Sequence, residues 1–142
     1  MEAPFLGIIL DSTVVIDAER QHLNVAQFLK EVGLKVGDIE VALCSITVAE
    51  LAHGIYRADA PDRRQRRRAF LDELKATLPV YGITDATAEL VGKVGAESAA
   101  IGVAVPFDDL LIAACAMERG YAVATRNLRH FQRIPGLALL SL

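Results

Sequence analysis

The chain has 142 residues, 53% of them hydrophobic and 23% charged, with 15 Lys and Arg against 18 Asp and Glu for a formal net charge of -3. That apolar content excludes a disordered or low-complexity protein, and no run approaches the roughly 20 apolar residues of a membrane-spanning helix. An acid, Glu2, stands where a secretory leader carries lysine or arginine, which argues against export, and the lack of Trp with only 6% aromatic residues argues against a base-stacking platform.

The length suits one domain over residues 1–142. Short apolar runs alternate with longer helical patterns, which predicts an α/β fold with a central, mainly parallel sheet of about five strands flanked by helices. Phe5 to Leu10 reads as a strand buried on both faces, and Asp11-Ser12-Thr13 as the start of a helix over Val14 to Glu19. Leu23 to Val32 is helical in pattern and ends at Gly33; Ile39 to Cys44 is the next strand. Ser45 and Thr47 open a helix to about Ala58, and Asp62 caps one running through Thr77. Pro79 to Ile83 is a short strand, followed by a helix from Thr84 or Asp85 to about Ile101. Asp108 begins the most apolar helix, Leu110 to Glu118, which Gly120 closes. Tyr121 to Thr125 and Leu137 to Leu142 complete the strands. Cys44 and Cys115 lie in separate apolar stretches without a CxxC spacing, so they read as buried thiols of a cytoplasmic protein, neither a staple nor a zinc site.

In open α/β sheets ligands sit beyond the carboxyl ends of the strands. Asp11, Glu50, Asp109 and Asn127 all fall at such ends or at adjoining helix starts. Each has a plain alternative: Asp11 as a helix cap, Thr47 to Glu50 as a capping box, and Asp108 or Asp109 as the cap of the Leu110 helix. Converging carboxylates repel one another unless a hard cation neutralises them. An all-oxygen set favours Mg²⁺ or Mn²⁺ over zinc, and His22, His53 and His130 are too scattered to compete. Spacing alone leaves capping and clustering equally open.

Four stretches carry a resemblance: Leu10-Asp11-Ser12-Thr13-Val14-Val15-Ile16, Thr47-Val48-Ala49-Glu50-Leu51-Ala52-His53-Gly54, Asp109-Leu110-Leu111-Ile112-Ala113-Ala114-Cys115-Ala116 and Ala124-Thr125-Arg126-Asn127-Leu128-Arg129-His130-Phe131. In this order the chain resembles PIN-domain proteins, and among them the VapC-type ribonuclease toxins of prokaryotic toxin–antitoxin modules. The resemblance implies an acidic site for Mg²⁺ (or Mn²⁺) built from Asp11, Glu50 and Asp109, with Asp109 chosen over Asp108 because it directly precedes Leu-Leu-Ile-Ala-Ala. Asn127 occupies a fourth catalytic position that carries Asp in much of the family, so direct metal ligation by it is in doubt. Ser12 and Thr125 offer supporting hydroxyls. The resemblance also implies hydrolysis of RNA, a homodimer, and inhibition by a VapB-like antitoxin segment laid across the active-site groove.

The strip Asp62-Arg63-Arg64-Gln65-Arg66-Arg67-Arg68 holds five of the 15 basic residues. Arg63, Arg67 and Arg64, Arg68 repeat at helical spacing, as a solvated face or as contacts to RNA phosphates. Arg126, beside Asn127, is the stronger phosphate candidate. An aspartate-nucleophile phosphatase would need a second Asp at Thr13, and neither GxxxxGK[ST] nor GxGxxG is present. Two readings compete with the toxin: a PIN-like module that binds RNA or a partner without cutting, and an RNA-processing nuclease outside toxin–antitoxin biology.

Overall fold

The computed structural model describes residues 4–142. Its elements run β1 (Gly7–Leu10), α1 (Ser12–Arg20), α2 (Val25–Val36), β2 (Glu40–Cys44), α3 (Ser45–Arg57), α4 (Pro61–Thr77), β3 (Val80–Tyr81), α5 (Asp85–Ala100), α6 (Phe107–Arg119), β4 (Ala122–Thr125), α7 (Leu128–Phe131) and β5 (Leu139–Ser141). The five strands form one sheet in the order β3-β2-β1-β4-β5, and every pairing is parallel. The fold class expected from the pattern of runs is the one observed.

Alternation along β1 divides the core. Ile8 and Leu10 face a cluster with Val14, Val15, Phe28, Leu51, Phe70 and Leu74. Ile9 faces the other layer, with Cys44, Val94, Ile112, Cys115, Val123 and Phe131. Strands covered by helices on both faces must be apolar throughout, which is why β1 and β4 are buried at every position.

The element bounds differ from expectation where turn chemistry was misread. Gly33 does not end α2; the helix continues to Val36 and stops at Gly37, whose φ of 79° is open to glycine without steric cost. Leu23 lies outside the helix, which Asn24 and Gln27 begin through a reciprocal capping box. Asp62 does not cap α4: Ala60 is the cap residue and Pro61 takes the first turn, where its missing N–H costs nothing. The strand expected over Pro79 to Ile83 shrinks to Val80–Tyr81.

The chain leaves β1 toward β2 and β3 on one side and returns through β4 and β5 on the other. Loops therefore diverge above β1 and β4, and that crevice is where such sheets hold ligands. Of the expected site residues, the acids Asp11, Glu50 and Asp109 lie near enough there to feel one another's charge.

Candidate active site

Asp11 is the residue after β1, 4% exposed. It occupies the cap position of α1, yet its side chain makes no capping bond. Its Oδ2 instead accepts from the hydroxyl of Thr13 at 2.7 Å and from that of Thr125, the last residue of β4, at 2.9 Å. The two hydroxyls are themselves 3.3 Å apart. Two adjacent strand ends thus hold one carboxylate in place, and the capping role does not survive. Thr125 behaves as expected; Thr13 does the work that had been looked for in Ser12. The sequence signal for Thr13 was only that it lies two residues past the acid, next to the β4 end.

Glu50 sits in the second turn of α3, so the expected capping box with Thr47 does not form. Thr47 is wholly buried and donates to the carbonyl of Leu10 at 3.1 Å, which pins the start of α3 to the end of β1. That link carries Glu50 toward Asp11. Burial, a hydrogen bond with Asp108 and the charges of Asp11 and Asp108 raise the Glu50 pKa to about 8, against a smaller lowering by Ser12.

Asp109 lies in the first turn of α6, 6% exposed. Pro106 is the cap residue of that helix, so neither Asp108 nor Asp109 has the capping role. Burial and then the charge of Asp108 raise the Asp109 pKa to about 6, with His130 opposing and Asp11 adding to the rise. His130 Nδ1 approaches Asp109 Oδ2 to 3.2 Å, but without the alignment of a hydrogen bond, since that oxygen is still buried and unpartnered. Asp108 and His130 are thus members of the site that spacing did not single out. Asn127 contributes differently from the acids: its backbone amide donates to Thr125 Oγ1 at 2.9 Å, while its side chain caps nothing.

The fit of this cluster to a divalent cation can be tested on its own atoms. Glu50 Oε1 and Asp109 Oδ2 are buried without any hydrogen-bond partner, a rare and costly condition for a carboxylate. The donors are all oxygens, the acids hold one another's protons on, and these are properties that a hard cation relieves. Among the described residues no three acids, imidazoles or thiols stand close enough to close a coordination shell as they are. The residues fit a hard cation in their chemistry, and the shell is open.

Beside Glu50 runs a groove of about 600 Å³ between α1, α3 and α4, floored by Leu51, Ile55, Phe70 and Leu71 and edged by Arg63, Arg66 and Arg67. The arginine strip is not a uniform face. Arg64 donates to the carbonyl of Ala58 at 2.6 Å, Arg67 to that of Gly54 at 2.9 Å, and Arg68 pairs with Asp72. Arg63 has only a 3.9 Å approach to exposed Asp59. Arg66, which the helical spacing had passed over, faces the same groove. Arg126 is turned away from the acids: it pairs with Asp17 at 3.3 Å and donates to the carbonyl of Leu142 at 2.9 Å. Val14, Val15 and Ile55 belong to the core, whereas Ile16 and Tyr56 are exposed.

A parallel five-stranded sheet with buried acids above its switch point defines a class, and the comparisons agree. The PIN domain family model matches residues 8–137, and the chain belongs to the PIN-domain family. Ribonuclease VapC1 of Rickettsia felis is 28% identical over 140 residues, covering 96% of each chain. The protein named tRNA(fMet)-specific endonuclease VapC from Salmonella typhimurium is 35% identical over 99 residues, 70% of this chain and 73% of that one. The crystal structure of DNA-bound VapBC from Salmonella typhimurium aligns with a TM-score of 0.78 at 29% identity, covering 96% of this chain and 98% of that chain. Within the family the chain therefore stands among the VapC ribonucleases. No helix among the described residues is long and apolar enough to cross a membrane.

Proposed function

We propose that this chain is a Mg²⁺-dependent endoribonuclease, the toxin of a VapBC-like pair, with Asp11, Glu50 and Asp109 holding the cation. The observation that carries this reading is the pair of orphaned carboxylate oxygens, Glu50 Oε1 and Asp109 Oδ2, beside an Asp11 fixed by two hydroxyls. Mg²⁺, when bound, lowers the pKa of its water and offsets charge on the scissile phosphate. The protein's part is positional. Thr13 and Thr125 occupy one oxygen of Asp11 and leave the other free to ligate. Glu50, whose pKa is raised to about 8, would give up its proton to a bound cation, whereas Asp109, raised to about 6, is already mostly ionised at neutral pH. Arg63 and Arg66 edge the groove that opens beside Glu50, and bind the phosphates of flanking nucleotides. Arg64, Arg67 and Arg68 serve the local fold instead.

The proposed partners are an RNA substrate, in keeping with relatives named ribonuclease, and a VapB-like antitoxin, in keeping with the VapBC complexes among similar structures; a blocked site and a second copy of this chain are expectations of the family resemblance. The gene beside this one is expected to encode a small DNA-binding protein that co-purifies with it. The deciding experiment measures cleavage of a mixed transfer and messenger RNA panel with Mg²⁺ and with EDTA. Cleavage that needs the cation and disappears in Asp11→Asn, with unchanged folding, supports the reading. Cleavage that persists in EDTA, or in Asp11→Asn, sinks it.

A further inference from the structure

Beside the carboxylate oxygens of the site stands one nitrogen donor. α7 is a single turn, and its last residue, Phe131, is 1% exposed in the core layer of Ile112, Cys115 and Val123. That anchor fixes the turn against α6, the helix of Asp109. The backbone amide of the neighbouring His130 donates to the carbonyl of Asn127 at 3.2 Å. Its imidazole is left half-exposed, with Nδ1 3.2 Å from Asp109 Oδ2. Solvent therefore reaches the ring directly, while the carboxylate oxygen it approaches is buried and without a hydrogen-bond partner.

An imidazole this close to a carboxylate ordinarily turns to donate an N–H to it. Here the distance is short enough, but the direction is wrong. Two neighbouring ligands of one octahedral cation have that relation. With bonds of about 2.1 Å they stand about 3.0 Å apart, and each points at the ion, about 45° off the line joining them. An oxygen and a nitrogen 3.2 Å apart and unaligned match one such edge. The coordination shell as a whole is open, but this edge of it is already set.

We propose that His130 Nδ1 is a ligand of the cation held by Asp109, and that it makes the site select Mn²⁺ over Mg²⁺. The inference rests on the reading of the acids as a cation site and names the ion they take. Mg²⁺ is hard, keeps its waters and gains little from an imidazole. Nitrogen donors favour the first-row transition ions, and among these Mn²⁺ shares with Mg²⁺ the preference for carboxylate and water. Asp11, Glu50 and Asp109 offer oxygen only, so the discrimination lies with His130. The neutral ring that ligates through Nδ1 carries its proton on Nε2.

The test titrates the full-length protein, without RNA, with Mn²⁺ and with Mg²⁺ by calorimetry, and records pulsed EPR spectra of the Mn²⁺ form. The parent is expected to bind Mn²⁺ at least about 10-fold more tightly than Mg²⁺, and the bound Mn²⁺ to show coupling to a directly bonded nitrogen nucleus. His130→Ala, at a half-exposed position, is expected to keep its fold by circular dichroism and to lose the nitrogen signal. It should weaken Mn²⁺ binding about 10-fold or more while Mg²⁺ affinity holds. A parent spectrum without nitrogen coupling overturns the proposal. So does an equal loss of both ions in His130→Ala, which would mean that the imidazole only pairs with Asp109 and positions it. RNA cleavage is read separately. Cation-dependent cleavage without the nitrogen signal sinks the assignment of His130 alone. Nitrogen-coupled Mn²⁺ on a chain that cuts no RNA leaves His130 standing and removes the nuclease reading, and a chain that binds neither ion overturns both.

Discussion

At the amino end of the sheet, Tyr121 donates to Glu40 Oε1 at 2.6 Å, and Tyr81 donates to the same oxygen. The Arg119 guanidinium lies 3.5 Å from the centroid of the Tyr81 ring, although its Nε is buried without an acceptor. The two tyrosine bonds hold the Glu40 carboxyl below its ordinary pKa. At the carboxyl end, Glu50 and Asp109 are pushed above theirs, Asp11 and Asp108 add to the repulsion, and two oxygens stay orphaned. Both ends present a carboxylate to the same scaffold. One is solvated by the protein's own donors and asks for nothing more; the other is left incomplete. Local rules are expected to fail where function is sited, and here the orphaned carboxylate oxygens are both at the carboxyl end of the strands, while the amino end, among the described residues, leaves only Arg119 Nε without a partner.

The sharpest way to break this contrast is to remove a charge from each end. Asp11→Asn is expected to lower cleavage more than about 100-fold, since losing even an outer partner of a metal ligand costs 10–100-fold. Its thermal midpoint, read by calorimetry, should hold or rise. Glu40→Gln should leave the cleavage rate unchanged and lower the midpoint. An equal loss of activity from both variants would remove the distinction between the two ends.

Thr125→Val probes the scaffold of the incomplete end. The hydroxyl is fully buried, donates to Asp11, and accepts from the Asn127 amide. Its loss strands a charged acceptor and a backbone donor, for about 1.5–3 kcal/mol of stability by urea denaturation. Cleavage should fall roughly 10-fold as Asp11 loses one of its two tethers. A variant as stable and active as the parent would mean that Thr13 alone positions the acid.

Gly7→Ala tests the complete end. A Cβ at Gly7 would stand 2.7 Å from Tyr121 Cζ and 2.8 Å from the Glu40 carbonyl oxygen. The ring can move, but the strand carbonyl cannot, so about 1–3 kcal/mol of destabilisation follows. Activity per folded molecule, measured at saturating RNA, should not change.

How much of this was legible in the sequence follows from which interactions are local. The strand runs, the parallel sheet and the Gly120 cap depend on periodicity and single-residue chemistry, and they were readable. So was the choice of Asp11, Glu50 and Asp109 as residues at strand ends, though resemblance carried more of that choice than spacing did. The partners were not readable. Thr125 reaches Asp11 across 114 positions and Thr47 reaches Leu10 across 37, and no local pattern encodes such bonds. The arginine strip was misjudged for the same reason: helical spacing groups Arg63 with Arg67, but the acceptors on Gly54 and Ala58 belong to α3 and the turn after it.

The smallest expected effect is on the pH dependence of the metal-free fold, and it separates the two ends by sign. Glu50 and Asp109 hold protons that the unfolded chain would release, with pKa values near 8 and 6 against ordinary values of 4.5 and 3.8. Between those limits the native state binds more protons than the unfolded state, so stability falls as pH rises. This contribution is whole below the ordinary values and declines from there upward, with the share of Asp109 spent near pH 6 and that of Glu50 near pH 8. Both groups are partly solvent-screened, so the total is set at about 1–2 kcal/mol, or about 3–8 °C in the midpoint. Glu40 runs the other way: its pKa is lowered, so its stabilisation is present above the ordinary value and disappears only in acid. Thermal midpoints in EDTA should therefore decline from pH 5 to pH 9, and Glu50→Gln should flatten that decline while Tyr121→Phe leaves it intact. Saturating Mg²⁺ should reverse the slope, because the cation favours the ionised acids. A flat profile in EDTA would mean that the acids at the carboxyl end are as well solvated as Glu40, and the contrast between the two ends would collapse.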